Sequence, residues 1–385
     1  MAASQAAHTW LRVAALGIRM KVAISCLCDI SKSDGTIVRA KRIFEVLRKK
    51  YDCTLILRGR ASDCGDIEVI RPSKLWNFQL IPVVLRNRFD IVICSNDFWG
   101  FFTYFALSKL LTCKVLLEAH GVISLEREER YPDPSPLDKV RIKMLKWREQ
   151  LAVKHADCVI ALSEDIYKCY EKFNKRIFIV QNFVDETKFK PQKRSRERIL
   201  AEKERKNVGL IGPFIQTHDT NRNSLVSSSI LDFVYENIHK FDERIHFVVI
   251  GQCDYRIANE RISYTGYLSD FQDYVDQLTV LDAILVPSKF SSFGALTKVL
   301  EPMACSVPVF TTPVGLISFD HVTPGKDILV YDESELVAKV NEYLFDLDLM
   351  ERVGKNARRT IEKYYSETVN SRELIAVVER LALSQ

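Results

Sequence analysis

Residues 296–310 read LTKVLEPMACSVPVF, an apolar run broken by one ammonium, Lys298, and one carboxylate, Glu301. A charge pair in such a run calls for a partner or a ligand, because burying an uncompensated charge is costly. His120 follows KVLLEA and precedes Gly121. It therefore stands at the carboxyl end of an expected strand, where an imidazole can bond a hydroxyl or a phosphate near neutral pH; a hydrogen bond to nearby backbone is the alternative. Asp34-Gly35, after the first apolar run, offers a loop that approaches a diphosphate with no Cβ in the way, or an ordinary turn. No G-x-x-x-x-G-K-[ST] occurs, and no G-x-G-x-x-G follows a strand. That argues against P-loop and dinucleotide chemistry. The 10 cysteines are scattered without C-x-x-C or Cys/His ligand spacing. They read as mostly buried thiols of a reducing, cytoplasmic compartment.

These residues need a frame to hold them. A length of 385 residues exceeds one typical core and favours two domains, and 47% hydrophobic with 27% charged residues is the composition of a globular protein. A net charge of +5 is too small and too mixed in sign to argue for nucleic acid. Residues 1–19 are too short between arginines for a signal sequence or a span, and Met20 reads as the true start. The stretch FWGFFTYFALSKLL is also too short to span a membrane and is expected in a core.

From Lys21 the pattern is that of parallel βα units. KVAISCL, CTLIL, DIVIC, KVLLE, CVIAL and RIFIV read as strands covered on both faces. Ile37, Ala40, Phe44 and Leu47 fall on one face of the first helix. A second series runs NVGLI, HFVVIG, AILVP, VPVFT and DILVY. The charged stretch 191–206 separates the two. Ligands of such open sheets bind beyond the carboxyl ends of the strands. Residues 137–154 read as a basic amphipathic helix with Lys139, Arg141, Lys143, Lys146 and Arg148 among Val140, Met144, Leu145, Trp147 and Leu151. It is either a solvated face or a contact with an anionic bilayer.

VPSKFSSFGALTKVLEPMACSVPVFTTPVG (286–315) resembles a motif of the retaining glycosyltransferases of family 4: P-S, a glycine, L-E-A-M-A-x-G-x-P-V-V, then a second glycine. EAHG, HADCVIALSE, QNFVDETKFKP and GKNARRTIEKYYS resemble further motifs of that family, in its order, from about residue 21 to the end. The resemblance implies an α/β chain of the GT-B fold, two facing Rossmann-like domains with parallel sheets and an interdomain cleft. It places an acceptor-side domain at 20–190, a nucleotide-sugar domain at 206–365, and a helix at 366–385 that crosses back to the first domain.

In the family the glutamate of L-E-A-M-A holds the ribose hydroxyls of a nucleotide-sugar donor, so the resemblance gives Glu301 that role and a place among the catalytic residues. A two-oxygen acceptor suits a vicinal diol; a carboxylate answering a helix dipole on a solvated face is the alternative. Free amides at the helix start, with Gly294 and Lys298, would face the diphosphate. Pro302 suggests that this helix begins near Leu300, which would put Glu301 in its first turn. The resemblance further assigns Gly35, Gly212 and Arg222 near the phosphates, Tyr267 and Leu268 at the base, and His120, catalytic together with Glu301, on the sugar or acceptor side. For Lys298, Arg222 and Tyr267, plain surface or packing roles are the alternatives.

Two positions depart from the family. Its earlier glutamate is Phe293 here, at the donor site, and the arginine of its G-R loop is Pro213. The expected activity is a metal-independent, retaining hexosyl transfer from a UDP- or GDP-sugar, with no cofactor, to a glycan, lipid-linked or small-molecule acceptor. Nucleic acid is not an expected partner. Peripheral contact with the cytoplasmic face of a membrane is open. The alternative is a non-catalytic partner of the same fold that binds glycan or scaffolds another transferase.

Overall fold

The computed structural model describes residues 19–29, 35–59, 66–71, 76–131, 133–192, 205–214, 222–290 and 294–384. The chain divides into two compact units, Met1–Gln181 with Ser371–Gln385, and Asn182–Asn370. Most of the charged stretch 191–206 lies outside the described residues; the chain passes between units ahead of it, at Gln181/Asn182.

The first unit is built on seven parallel strands: β1 (Lys21–Asp29), β2 (Asp52–Arg58), β3 (Ile67–Ile70), β4 (Ile91–Ser95), β5 (Lys114–Ala119), β6 (Cys158–Ala161) and β7 (Ile177–Ile179). Their order is β3-β2-β1-β4-β5-β6-β7. β4 and β6 are buried along their whole length, as continuous β-branched runs covered on both faces must be. The helix Gly35–Leu47 joins β1 to β2 and buries Ile37, Ala40, Phe44 and Leu47, the face expected from their spacing. The aromatic stretch forms the helix Gly100–Leu111, with Phe101 and Tyr104 in the core and Leu110 exposed.

The second unit holds six parallel strands: β8 (Lys206–Ile211), β9 (Ile245–Ile250), β10 (Ile262–Gly266), β11 (Ala283–Val286), β12 (Val309–Thr311) and β13 (Leu329–Val330), in the order β10-β9-β8-β11-β12-β13. Both sheets are thus Rossmann-like. In each the direction of winding reverses once, between β1 and β4 and between β8 and β11, and at such switch points the loops diverge and leave a crevice.

The structure adds two strands to the eleven runs legible in the sequence, β3 and β10. Both are edge strands, half-exposed along most of their length, so they lack a continuous apolar run. It also corrects the helix that carries Glu301. That helix is Thr297–Ala304, not one beginning near Leu300, and Pro302 lies inside it. Glu301 is therefore in the second turn. An interior proline costs about 3 kcal/mol because it has no N–H to give. Burial of Val299, Leu300, Met303 and Ala304 outweighs that cost, and the Cys305 amide closes the end on the carbonyls of Glu301 and Pro302.

Nine described cysteines are free, most of them buried. Among the described residues no helix is long and apolar enough to cross a membrane.

Candidate functional site

In the first unit, β4 and β5 deliver Ser95, Glu118 and His120 to the carboxyl edge of the sheet beside the switch point. Glu118 is fully buried and its carboxylate is shared by three groups. Arg39 Nε donates to Oε1 at 2.9 Å, Ser95 Oγ donates to Oε2 at 2.6 Å, and His120 Nε2 lies 2.9 Å from Oε2. Arg39 comes from the helix after β1, and its Nη1 and Nη2 donate to the carbonyls of Gln181 at 2.9 Å and Val180 at 3.4 Å. Burial works to raise the Glu118 carboxyl, but the Arg39 guanidinium and then His120 outweigh it and hold the group down at about 2. A second buried cluster lies beside the first. Asp97 accepts from the Gly100 amide at 2.7 Å and from Ser25 Oγ at 3.2 Å, and burial pushes its carboxyl up to about 6.

In the second unit, the loops after β8 and β11 flank the switch point. Gly212 follows β8, its amide donating to the Ile250 carbonyl at 2.9 Å, and a Cβ there would meet the Phe214 ring at 2.7 Å. After β11 come Gly294, which is buried, and the helix Thr297–Ala304. Asn182 Nδ2 ties this loop down by donating to the Ala295 carbonyl at 2.8 Å. Glu301 is only 8% exposed, and Tyr274 Oη donates to its Oε2 at 2.8 Å. Burial lowers the half-enclosed Lys298 ammonium to about 8. The amides of Val299 and Leu300 close on the Leu296 carbonyl, so the first turn has fewer open donors than a bare helix start.

The parallel strands therefore bring Gly212, Tyr267, Leu268, Gly294, Lys298 and Glu301 to one edge of the second sheet. Tyr267 is 67% exposed, whereas Leu268 packs on the core. Arg222 is the first residue of the helix Arg222–Asn237, and its side chain lies outside the described residues. Phe293 and Asp34 also lie outside them. His120 and Gly35 belong to the first unit; Gly35 opens its helix with nothing near the place of a Cβ.

Two family models match separate parts of the chain. Residues 45–188 match the model described as Glycosyltransferase Family 4, and residues 225–346 match Glycosyl transferases group 1. Each unit thus contains a stretch similar to a glycosyltransferase model. A curated relative, an uncharacterized 41.2 kDa protein in the cps region of Klebsiella pneumoniae, is 23% identical over 252 residues; the match takes in 61% of this chain and spans 63% of that relative's length. Among solved structures, Anabaena HepE in complex with UDP and glucose is 13% identical with a TM-score of 0.69, over 94% of this chain and 100% of that one. Sucrose-phosphate synthase of Thermosynechococcus elongatus is 14% identical with a TM-score of 0.73, over 95% and 100%. A glycosyltransferase of Rickettsia africae is 15% identical with a TM-score of 0.69, over 95% and 100%. At such identities the likeness shows the fold, which is GT-B.

Several glycosyltransferase-like motifs turn out to serve packing. Arg358 of GKNARR donates through Nη1 to the carbonyls of Phe189 at 2.6 Å and Ala304 at 2.7 Å, and through Nη2 to that of Glu186 at 2.9 Å. It thereby fastens QNFVDETKFKP to the end of the Glu301 helix. Gly315 faces Ser288, and a Cβ there would meet Thr311 Oγ1 at 2.2 Å. Arg39, Ser95 and Tyr274 carry no signal in the sequence, since nothing local separates them from neighbouring arginines, serines and tyrosines.

Proposed function

We propose that the chain transfers a hexosyl group from a nucleotide-sugar donor, a UDP- or GDP-sugar, to an acceptor hydroxyl with retention of anomeric configuration and without a metal ion. The observation that carries this reading is Glu301, a buried carboxylate beside the switch point of the second sheet, on a helix whose first turn carries Lys298. Glu301 grips the ribose diol. Tyr274 donates to its Oε2 and holds the carboxylate in place, and a two-oxygen acceptor suits the two hydroxyls of the diol. Lys298, Gly294, Gly212 and the helix dipole offset the charge that gathers on the departing diphosphate. Arg222 is the candidate for a further phosphate cation, Gly35 gives close backbone approach, and Tyr267 with Leu268 flanks the base. His120 bonds the sugar or the acceptor. Glycan, lipid-linked and small-molecule acceptors all offer the required hydroxyl.

Thermal unfolding of the pure chain with UDP, GDP, ADP and their sugars tests the donor, since a ligand of the native state raises stability by RT ln(1 + [L]/Kd). Stabilisation by one nucleotide, with release of its sugar in a chelator, supports the transferase. Absence of both nucleotide binding and donor hydrolysis favours the non-catalytic glycan-binding or scaffold partner to which the Phe293 and Pro213 departures point.

A membrane contact is the second part of the proposal, with lipid-linked acceptors on the cytoplasmic face. Leu137, Val140, Met144 and Trp147 form an exposed stripe at helical spacing on Pro136–His155, Met144 and Trp147 being 64% and 63% exposed. Lys139, Arg141, Lys143 and Lys146 are exposed around it. Apolar residues flanked by cations suit an anionic bilayer surface. Flotation with anionic liposomes at low salt is expected to carry the chain upward; failure to float removes the contact.

A further inference from the structure

We infer that Arg39, Glu118 and Ser95 are positioning residues that lock His120 as its Nε2–H tautomer and leave Nδ1 as the atom offered to a ligand hydroxyl. His120 Nε2 faces two oxygens, Glu118 Oε2 at 2.9 Å and Ser95 Oγ at 3.1 Å. Ser95 has a single hydroxyl proton, and that proton is committed to Glu118 Oε2 at 2.6 Å. Both neighbours of Nε2 therefore present lone pairs, and a bare ring nitrogen there would meet acceptors alone. The proton must sit on Nε2.

Arg39 decides which carboxylate oxygen is left for the ring. Its Nε–H occupies Oε1, and its other nitrogens are fixed on the carbonyls of Gln181 and Val180, so the guanidinium cannot swing to Oε2. The carboxylate is also kept ionised, with its pKa held at about 2 against the pull of burial. In the neutral ring the free lone pair is then on Nδ1, for which no described residue supplies a partner. Nδ1 is thus an acceptor suited to a hydroxyl donor, and the fixed tautomer sets the direction of that hydrogen bond before any ligand arrives. The ligand's identity as a sugar or an acceptor alcohol rests on the glycosyltransferase reading; the tautomer does not.

Long-range 1H–15N correlation spectra of the full chain labelled with 15N-histidine test this without a donor, with His120→Gln to assign the signals. At pH 8 the wild-type His120 is expected to show a pyrrole-type Nε2, a pyridine-type Nδ1, and an observable, slowly exchanging Hε2. In Glu118→Gln the Arg39 Nε–H still demands the side-chain oxygen, so the amide NH2 turns to Nε2 and the tautomer inverts to Nδ1–H. A folded Glu118→Gln variant that keeps Nε2–H overturns the inference. So does a wild-type ring protonated on Nδ1 alone, an arm that holds even where the variant fails to fold. A pure Nε2–H signal alongside no donor binding retains the positioning network and removes the transferase reading instead.

Discussion

Tyr274 and Glu301, from two different helices of the second unit, meet through a hydrogen bond of 2.8 Å between the phenol and Oε2. The phenol fixes the carboxylate's orientation inside a buried environment, where an unheld ion is costly. Tyr274→Phe keeps the ring against Phe189, whose centroid lies 6.2 Å away, and removes only the hydroxyl. A loss of about 1.5–3 kcal/mol in urea unfolding is expected, the range for hydrogen bonds to charged groups. Donor affinity should fall severalfold by titration, and by more in Glu301→Ala.

Arg358 closes the same region from behind. Replacement by methionine keeps most of the stem but leaves the carbonyls of Glu186, Phe189 and Ala304 without this donor. Equilibrium denaturation should show a loss of about 3 kcal/mol or more, given roughly 1–3 kcal/mol for each buried group left unsatisfied. A loss below about 0.5 kcal/mol, the level of an ordinary surface substitution, would show that water takes over the guanidinium's place.

Gly354 lies inside the helix Leu347–Thr360, where alanine is intrinsically preferred by about 1 kcal/mol. A Cβ there would meet the Ser306 carbonyl oxygen at 2.2 Å. That contact is with backbone and has no flexible end to yield. Gly354→Ala is therefore expected to lower the melting temperature despite its better helix propensity; an unchanged or raised value contradicts the close approach.

Two buried glutamates give opposite pH responses. Glu118 has its carboxyl held at about 2, below the ordinary 4.5, so its contribution is complete above pH 4.5 and is lost as pH falls towards 2. Glu149 is pushed up to about 7, chiefly by burial, although it accepts from the Ser124 amide. Between pH 4.5 and 7 the folded state keeps a proton on Glu149 that the unfolded state has released, so this contribution falls as pH rises. Glu149→Gln should gain stability relative to wild type as pH goes from 5 to 8, by up to about 3 kcal/mol, measured by urea unfolding at each pH. A pH-independent difference would show that Glu149 is ionised in the fold throughout.

The central strands were legible in the sequence because a parallel sheet covered on both faces needs unbroken apolar runs, as DIVIC and AILVP are. The edge strands IEVI and ISYTG were not, since an edge exposes part of each residue and the run breaks up. The candidate residues His120 and Glu301 were also legible, one by its place after a strand and the other by a charge inside an apolar run. Pro302 misled, because local propensity puts a proline at a helix start and buried packing moved that start to Thr297.

The succession of central strands along the chain, the two-sheet class and the location of loops at the carboxyl edges follow from periodicity and chain length, which are local and additive properties of the sequence, whereas the order of strands within each sheet is a property of the fold. Which oxygen of Glu118 meets Arg39, how Ser95 spends its proton and that Tyr274 reaches Glu301 depend on side chains brought together from separated segments. Residues 39 and 118 carry no mark of each other until the sheet sets their strands and helices side by side. A hydrogen bond is decided by ångström-scale distance and direction, and only the folded chain fixes those.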